Sequence, residues 1–449
     1  MKRIYWLLAL EVVLAYSISV FFSLGFQDLV WDDSHYLKTA EYWYDGNEAF
    51  KDFYLQPSPH FRLQNLSPLL SVIEYLSYLV FNINLVPIKL ISAAFLPLLV
   101  FGSFKLGSMI EDEKFGVIVS ALMILNQTIF FWSTRLYNDI PGISLFILAA
   151  YFLIKGTKED YRKNYFISGI IFGLALLMRS PLAPLIGLFG LSYLFLNKKL
   201  NWKVFYLASV LIPLLPWLIY SQIQFGDFLD GFKGYATPLV FQPMNPIMNI
   251  PVFFKSVDIV WLFLFAIGIL FTRKISDPKL LLAIISLGIF LITPFGDIRY
   301  TIPAIALGSF LVAKSLGEFS KLKVGNHIII ISIVFIVFLN LPSFIQTQKE
   351  NFYCAQNSAV IKVSEFLKDN SKPDSIIFAE SFWPQIEFYS KRDTYGLVGE
   401  TPYLDYLMNL DRVRYIISIN PQNHIKYLEG FKPLAEFKDG CRTLYLYGR

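Results

Sequence analysis

Charge is what this sequence has least of. Asp, Glu, Lys and Arg make up 16% of its 449 residues, against 55% hydrophobic; an ordinary soluble domain is about a quarter charged. So few charges point to a surface that mostly faces lipid. Cysteine is scarce too: there are two, which excludes a disulfide-built scaffold. The four histidines show no HExxH or HxxxH spacing, so no zinc-hydrolase motif is present. Asp-x-Asp, CxxC, GxGxxG and Walker patterns are also absent. No internal repeat is evident, which weakens a transporter built from inverted repeats. The formal net charge of +5 is small and does not argue for a nucleic-acid partner.

What the sequence has in abundance is apolar runs of membrane-crossing length. They are Ile4–Phe26, Leu85–Ser108, Phe115–Ser133, Ile140–Ile154, Tyr165–Met178, Leu182–Leu196, Phe205–Ile223, Val257–Phe271, Leu280–Thr293, Thr301–Ala313 and Ile328–Phe344. The first follows Lys2 and Arg3 like a signal peptide, but it is long and lacks a small-x-small cleavage site, so it reads as a retained helix. A twelfth stretch, Ser67–Phe81, is shorter and carries Glu74, Ser71 and Ser77. Orientation decides its status. The lysine-rich loops lie around 2–3, 105–114, 155–163, 198–203, 273–279 and 314–323. Each neighbouring pair is separated by two spans if 67–81 does not cross, so all can be cytoplasmic. Ser67–Phe81 is therefore expected at the outer interface. The result is a multi-pass cell-membrane protein with about eleven spans, a cytoplasmic N-terminus and an extracytoplasmic C-terminus.

This topology places three pieces outside: residues 27–84 with the interfacial helix, the loop 226–256, and the tail 346–449. Helices and strands alternate in the tail: Ala359–Asp369, Pro384–Tyr389, Tyr403–Asn409 and Gln422–Leu428 read as helical, and Ser375–Ala379 and Val413–Ile419 as buried strands. A small α/β domain is expected, appended to a transmembrane domain of residues 1–345. Cys354 and Cys441 both lie in the tail and can pair there if it is extracytoplasmic; two unpaired thiols are the alternative.

Polar residues that bear on chemistry cluster on the outer side. Trp31-Asp32-Asp33-Ser34-His35-Tyr36 follows the first span. Two adjacent carboxylates at a membrane surface suit a general base or a cation site; the competing reading is a solvated pair, with Asp33 or Ser34 capping a helix through Tyr44. Asn138-Asp139-Ile140-Pro141 lies in a short outer link, where Asp139 suits an N-cap or a cavity-lining carboxylate. Three short outer links carry one arginine each and no lysine: Arg135, Arg179 and Arg299. Arginine's planar fork suits phosphate oxygens, and ionisable groups at helix ends inside a bundle are usually functional. Snorkelling, or pairing with Asp139 or Asp297, is the competing reading. No cofactor is called for, and a divalent cation held by aspartates is the residual alternative.

Taken in order, these motifs resemble a known family. Asp32-Asp33-x-x-Tyr36 after the first span is similar to the Asp-Glu-x-x-Tyr opening of GT-C fold glycosyltransferases that use polyprenyl-phosphate sugars, in particular the protein O-mannosyltransferase and lipid A aminoarabinose transferase superfamily. Asn138-Asp139-Ile140-Pro141 resembles their second-outer-loop aspartate motif. Gly173 through Met178-Arg179-Ser180-Pro181 resembles their Gly-hydrophobic-Lys-x-Pro stretch, with Arg179 for lysine. Pro216-Trp217 before Phe225-Gly226, and Arg299-Tyr300-x-x-Pro303, also match. One departure stands out: where relatives often carry Lys-Pro or His-Pro-Pro, this chain has Asn65-Leu66-Ser67-Pro68, with Arg62 and His60 as the nearby substitutes.

The resemblance implies an inverting transferase that moves a monosaccharide from a polyprenyl- or dolichyl-phosphate donor to a hydroxyl of a protein, glycan or lipid. It implies Asp32 as base, with Asp139 orienting the acceptor or an arginine and Asp33, His35 and Tyr36 beside them. Arg179 and Arg299, with Arg135, Tyr300 and Arg62, would meet the donor phosphate. Membrane lipid is the remaining partner. A flippase for a lipid-linked substrate and a non-enzymatic scaffold are the alternatives; the first expects charges near mid-membrane, the second no gathering of acids and arginines on one side.

Overall fold

The structure, a computed structural model, describes residues 2–25, 29, 31–45, 68–196, 203–228, 246–272, 277–292, 297–321, 327, 331–336, 338–341, 345, 358–396 and 412–449. The described residues are mostly helical. The helices are α1 Lys2–Gly25, α2 Trp31–Tyr44, α3 Pro68–Phe81, α4 Leu85–Ala93, α5 Phe95–Ile110, α6 Glu113–Leu125, α7 Gln127–Ser133, α8 Asp139–Glu159 and α9 Arg162–Met178. They continue with α10 Ala183–Leu196, α11 Lys203–Phe225, α12 Pro246–Ser256, α13 Ile259–Phe271, α14 Pro278–Ile292, α15 Ile302–Phe319, α16 Ala359–Asn370, α17 Trp383–Ser390 and α18 Ile425–Leu428. Five strands, β1 Ile376–Ala379, β2 Asp393–Gly396, β3 Val413–Ser418, β4 Lys432–Lys438 and β5 Thr443–Gly448, lie near the C-terminus.

Contacts divide the chain into two compact units: residues 1–23, 59–73 and 85–344, and residues 24–58, 74–84 and 345–449. Among the described residues, four stretches are long and apolar enough to cross a membrane singly: Ile4–Gly25, Leu85–Ile110, Asp139–Glu159 and Ile298–Phe319. Two further pairs qualify only as bent spans. The expected straight span Phe115–Ser133 is instead α6 and α7, bent by 67°. The break falls at Asn126, whose side chain accepts from the Ile129 N–H at 3.0 Å and so starts a new helix. The second bend, 105° between α12 and α13, falls beside Asp258, which caps α13 by accepting from Trp261 N–H at 2.8 Å. The last expected span, Ile328–Phe344, lies partly outside the described residues.

Lipid is the solvent this unit is built for. Trp6 and Phe21 on α1, and Ile259 and Leu270 on α13, are more than 70% exposed. Water would penalise such a surface, and hydrocarbon does not. With little hydrophobic drive between helices in lipid, close packing and polar contacts must hold them. Gly173 on α9 supplies one approach: a Cβ there would strike the Val210 carbonyl and Pro213 of α11. Hydroxyls supply cross-links, Ser144 donating to the Phe95 carbonyl at 2.9 Å and Ser168 to the Ala149 carbonyl at 2.8 Å.

The start of α14, the last turns of α15 and the turn between α5 and α6 meet at one end of the bundle. Lys279 and Lys314 both pair with Glu111, at 2.8 and 3.1 Å, and Lys314 also reaches Glu318 at 2.9 Å. Arg299 lies beyond the opposite end of α14 and before the start of α15. Lysines and arginines therefore mark opposite ends of these two helices.

In the second unit the strand order is β2-β1-β3-β5-β4, with β1 parallel to β2 and β3 and the rest antiparallel. All four residues of β1 are buried, as a strand covered on both faces requires. Ile376, Phe378, Val413, Ile416 and Phe431 form the sheet's core. The expected helix Tyr403–Asn409 lies outside the described residues. Cys441 is disulfide-bonded; Cys354, the chain's other cysteine, lies outside the described residues. The residues 27–84 assigned to the transmembrane domain are divided here, with 24–58 and 74–84 in the second unit.

Candidate active site

The first unit gathers its polar residues where α8 begins and α9 ends. Asn138 precedes α8 in helical conformation (φ −82°, ψ −4°), and its side chain does not cap the helix. It accepts instead from Arg179 Nη1 at 2.8 Å. Asp139 is the first residue of α8 rather than its cap, and its Oδ1 lies 2.5 Å from Arg179 Nη2. Arg179 ends α9 in extended conformation (φ −151°), which turns its side chain out of the helix line. Both partners are almost completely buried, 6% and 1% exposed. A buried ion pair must be well oriented to offset its desolvation, and Asn138 supplies the second contact that fixes the guanidinium plane.

Close approach makes this contact. A Cβ on Gly142, one turn into α8, would come within 2.8 Å of Arg179 Cβ and 3.2 Å of Leu182 Cδ1. Glycine is the residue that lets α8 and the Arg179 turn touch.

A second arginine stands across a tyrosine. The 3-10 turn Ile298–Thr301 is capped by Asp297, which accepts from Arg299 N–H at 3.1 Å and pairs with Arg299 Nε at 3.1 Å. The Arg299 guanidinium lies 5.3 Å from the ring centres of both Tyr137 and Tyr300. The Arg179 guanidinium lies 5.2 Å from the Tyr300 ring. Tyr300 is thus flanked by two cations, each favoured by the ring's negative face. A guanidinium has five N–H donors, so one carboxylate does not exhaust either arginine. Arg179 and Tyr300 line a small pocket together with Pro181, Leu182, Leu185, Ser286 and Ile289. Arg135 is buried with its guanidinium 5.2 Å from the Phe131 ring, and its carbonyl accepts from Ser92 Oγ at 3.0 Å.

The second unit holds the acidic group. Helix α2 starts at Trp31, so Asp33 and Ser34 lie inside its first turn and neither is the N-cap. Asp33, Ser34 and Tyr36 are buried. The side chains of Asp32 and His35, and the whole of Arg62, lie outside the described residues. Aromatic edges join α2 to α3: Trp43 meets Tyr75 at 6.2 Å and Tyr44 meets Tyr78 at 6.1 Å. Helix α3 has 14 residues, roughly 21 Å of rise, short of a hydrocarbon core.

Glu74 on α3 is fully buried, and among the described residues neither carboxylate oxygen has a hydrogen-bond partner. Burial first, and the charge of Asp33 second, push its carboxyl well above the ordinary 4.5. The protonated acid is the form this site accepts. With the folded value above the unfolded one, Glu74's contribution to stability is complete below about 4.5 and is lost as pH climbs toward the folded value. Thermal unfolding of the purified protein should therefore show a midpoint that falls as pH rises from about 4.5, and Glu74→Gln should flatten that fall. A Gln variant that falls in parallel with wild type would assign the pH dependence to other groups.

The sequence pointed to Asp139, Arg179, Arg299 and Tyr300, and the structure brings these four together. It adds Asn138 and Tyr137 as partners, Gly142 as the contact that admits Arg179, and Glu74 beside Asp33. Asn138 was visible in its motif, but without a role. Gly142 had no signal short of the packing itself. Among the described residues, no group of three or more His, Cys, Asp or Glu gathers as a metal site would.

Residues 65–220 match the family model of dolichyl-phosphate-mannose-protein mannosyltransferases. No curated protein sequence matches the chain. Among solved structures, ArnT from Cupriavidus metallidurans bound to undecaprenyl phosphate superposes with a TM-score of 0.74 at 12% identity, covering 98% of this chain and 97% of that one. The Archaeoglobus fulgidus oligosaccharyltransferase in its apo form gives 0.65 at 14% identity, covering 94% and 70%. The arabinofuranosyltransferase AftD from Mycobacteria gives 0.57 at 12% identity, covering 97% and 39%. At these identities the likeness concerns the fold: the chain has the GT-C fold shared by these membrane glycosyltransferases.

Proposed function

We propose that the protein is an integral membrane glycosyltransferase that moves a monosaccharide from a polyprenyl- or dolichyl-phosphate donor to a hydroxyl group on the extracytoplasmic side. The observation that carries this is the Arg179–Tyr300–Arg299 row, with Arg179 and Tyr300 lining a small, largely apolar pocket. A lipid phosphate has the same two parts, an anion on an apolar chain. The match of residues 65–220 to a family named for dolichyl-phosphate-mannose, and the undecaprenyl phosphate bound to ArnT, support the same donor class.

In this reading the acceptor oxygen attacks the anomeric carbon from the side opposite the phosphate. The carbon–oxygen bond to phosphate breaks, its electron pair leaves with the phosphate, and the configuration inverts. The acceptor's proton passes to the Asp32 carboxylate, a role that requires the ionised form, which an ordinary aspartate has at neutral pH. Arg179 and Arg299 meet the charge that grows on the leaving phosphate, and preorganised cations there lower the barrier most. Asp139 and Asn138 hold the Arg179 fork in place. The reaction as written needs no cofactor.

The topology belongs to the same proposal: eleven spans, the N-terminus inside, the C-terminal unit outside. The meeting of Lys279 and Lys314 at Glu111 supports a common cytoplasmic end for their loops. The donor class is tested in proteoliposomes by offering radiolabelled polyprenyl-phosphate monosaccharides, pyrophosphate-linked oligosaccharides and nucleotide sugars side by side. Transfer from the monophosphate donors alone is expected. Transfer from nucleotide sugars alone would overturn the reading.

A further inference from the structure

Helix α2, which carries Asp32, is gripped along one side by α17. Lys38 forms an ion pair with Glu387, and Glu41 forms one with Lys391. The Gln385 amide donates to the Leu29 carbonyl, at 3.4 Å, just ahead of α2. Leu37 and Ala40 of α2 and Ile386 and Phe388 of α17 are buried. The Lys38 and Glu387 side chains are only 11% and 8% exposed.

A buried pair such as Lys38–Glu387 is poor glue, and Lys391 of the second pair is itself exposed. Desolvation cancels much of their attraction, and apolar residues of the same size would often hold two helices as well. What they do supply is register, because a charge that slips one turn loses its partner inside the protein. The two pairs fix both the rotation of α2 and its position along its axis. Asp32 occupies a helical position about 120° from Lys38 and about 180° from Glu41, at 3.6 residues per turn. The grip is therefore on the side of α2 away from Asp32.

We infer that α17 is a positioning element for the proposed catalytic helix: Glu387 and Lys391, acting through Lys38 and Glu41, set where Asp32 stands. The inference rests on the glycosyl-transfer reading and gives the C-terminal unit a task within it. The α3 contacts at Trp43 and Tyr44 hold only the far end of α2, and a displacement of a base by about 1 Å costs roughly 100-fold in rate.

The test uses the full-length protein in nanodiscs. Wild type, Glu387→Gln, Lys38→Met and the swap Lys38→Glu with Glu387→Lys are compared for kcat and donor KM per folded molecule, and for hydrogen exchange of residues 31–44. Glu387→Gln and Lys38→Met should each lower kcat about tenfold or more, leave donor KM within about twofold, and speed exchange in 31–44. The swap should recover kcat and protection. A role in folding alone would reduce the yield of folded protein and leave kcat per folded molecule unchanged. Unchanged kcat and unchanged exchange in both single variants would overturn the inference. Were wild type to transfer no sugar, the transfer reading would fall, while the exchange arm would still decide whether the charge pairs hold α2.

Discussion

Asp32→Asn should abolish sugar transfer, lowering kcat by about 10²–10⁴-fold, while donor KM stays within about threefold. The asparagine keeps the size and the hydrogen-bonding reach of the side chain but accepts no proton at neutral pH. The acceptor hydroxyl must then attack with its proton still attached, or give it to water. In this reading donor binding rests on the arginines, so it should survive. Asp33→Asn is the necessary companion. Asp33 is buried next to the field of Glu74, so removing its charge should relieve Glu74 and leave kcat much closer to wild type. If Asp33→Asn is the dead variant and Asp32→Asn the live one, the base has been assigned one position too early. Steady-state transfer with a saturating acceptor distinguishes the two.

Arg179→Ala should cost about 10²–10³-fold in kcat, the usual loss when one preorganised partner of a developing charge is removed. The variant also strands Asp139, which is 1% exposed and has its Oδ1 2.5 Å from the guanidinium. Stability should therefore fall as well, and the rate must be measured per folded molecule. Arg179→Lys separates the two effects. A lysine returns the charge to Asp139 but not the planar fork that reaches Asn138 and Asp139 together, so it should restore stability more than rate. Gly142→Ala should lower kcat in the same direction without touching any charge. Its new methyl would sit 2.8 Å from Arg179 Cβ, and the arginine must move to admit it. Wild-type kcat in Arg179→Ala would remove this arginine from the chemistry.

Much of this site is legible in sequence because membranes make polar residues conspicuous. Arg179, Arg299 and Asp139 stand out at the ends of apolar runs, where lysine would be ordinary and no charge at all would be usual. Strands and helices with continuous apolar stretches were equally readable: Ile376–Ala379 and Val413–Ser418 lie where buried strands were expected. β2, β4 and β5 were not anticipated; the first two are edge strands, and β5 lies inside the sheet between β3 and β4. β4 begins Lys-Pro and is half charged, so its membership depends on pairing with β5 and on no pattern of its own. The bend at Asn126 escaped notice for a similar reason, since the run from Phe115 to Ser133 is apolar enough to read as one span. Least legible were contacts between segments far apart in the chain. Lys38 gives no hint of Glu387, nor Gly142 of Arg179, because such pairs are chosen by the fold and leave no local spacing behind.

The most direct measurement of the central claim is stoichiometric. Wild-type protein in sealed proteoliposomes is given a radiolabelled polyprenyl-phosphate monosaccharide and native membrane extract, and transferred sugar is counted together with free polyprenyl phosphate. One lipid phosphate released per sugar transferred, with both lost in Asp32→Asn, is the expected result. Donor crossing the bilayer intact, with no sugar transferred and no lipid phosphate released by protein shown to be folded, would contradict the transferase reading and favour a flippase.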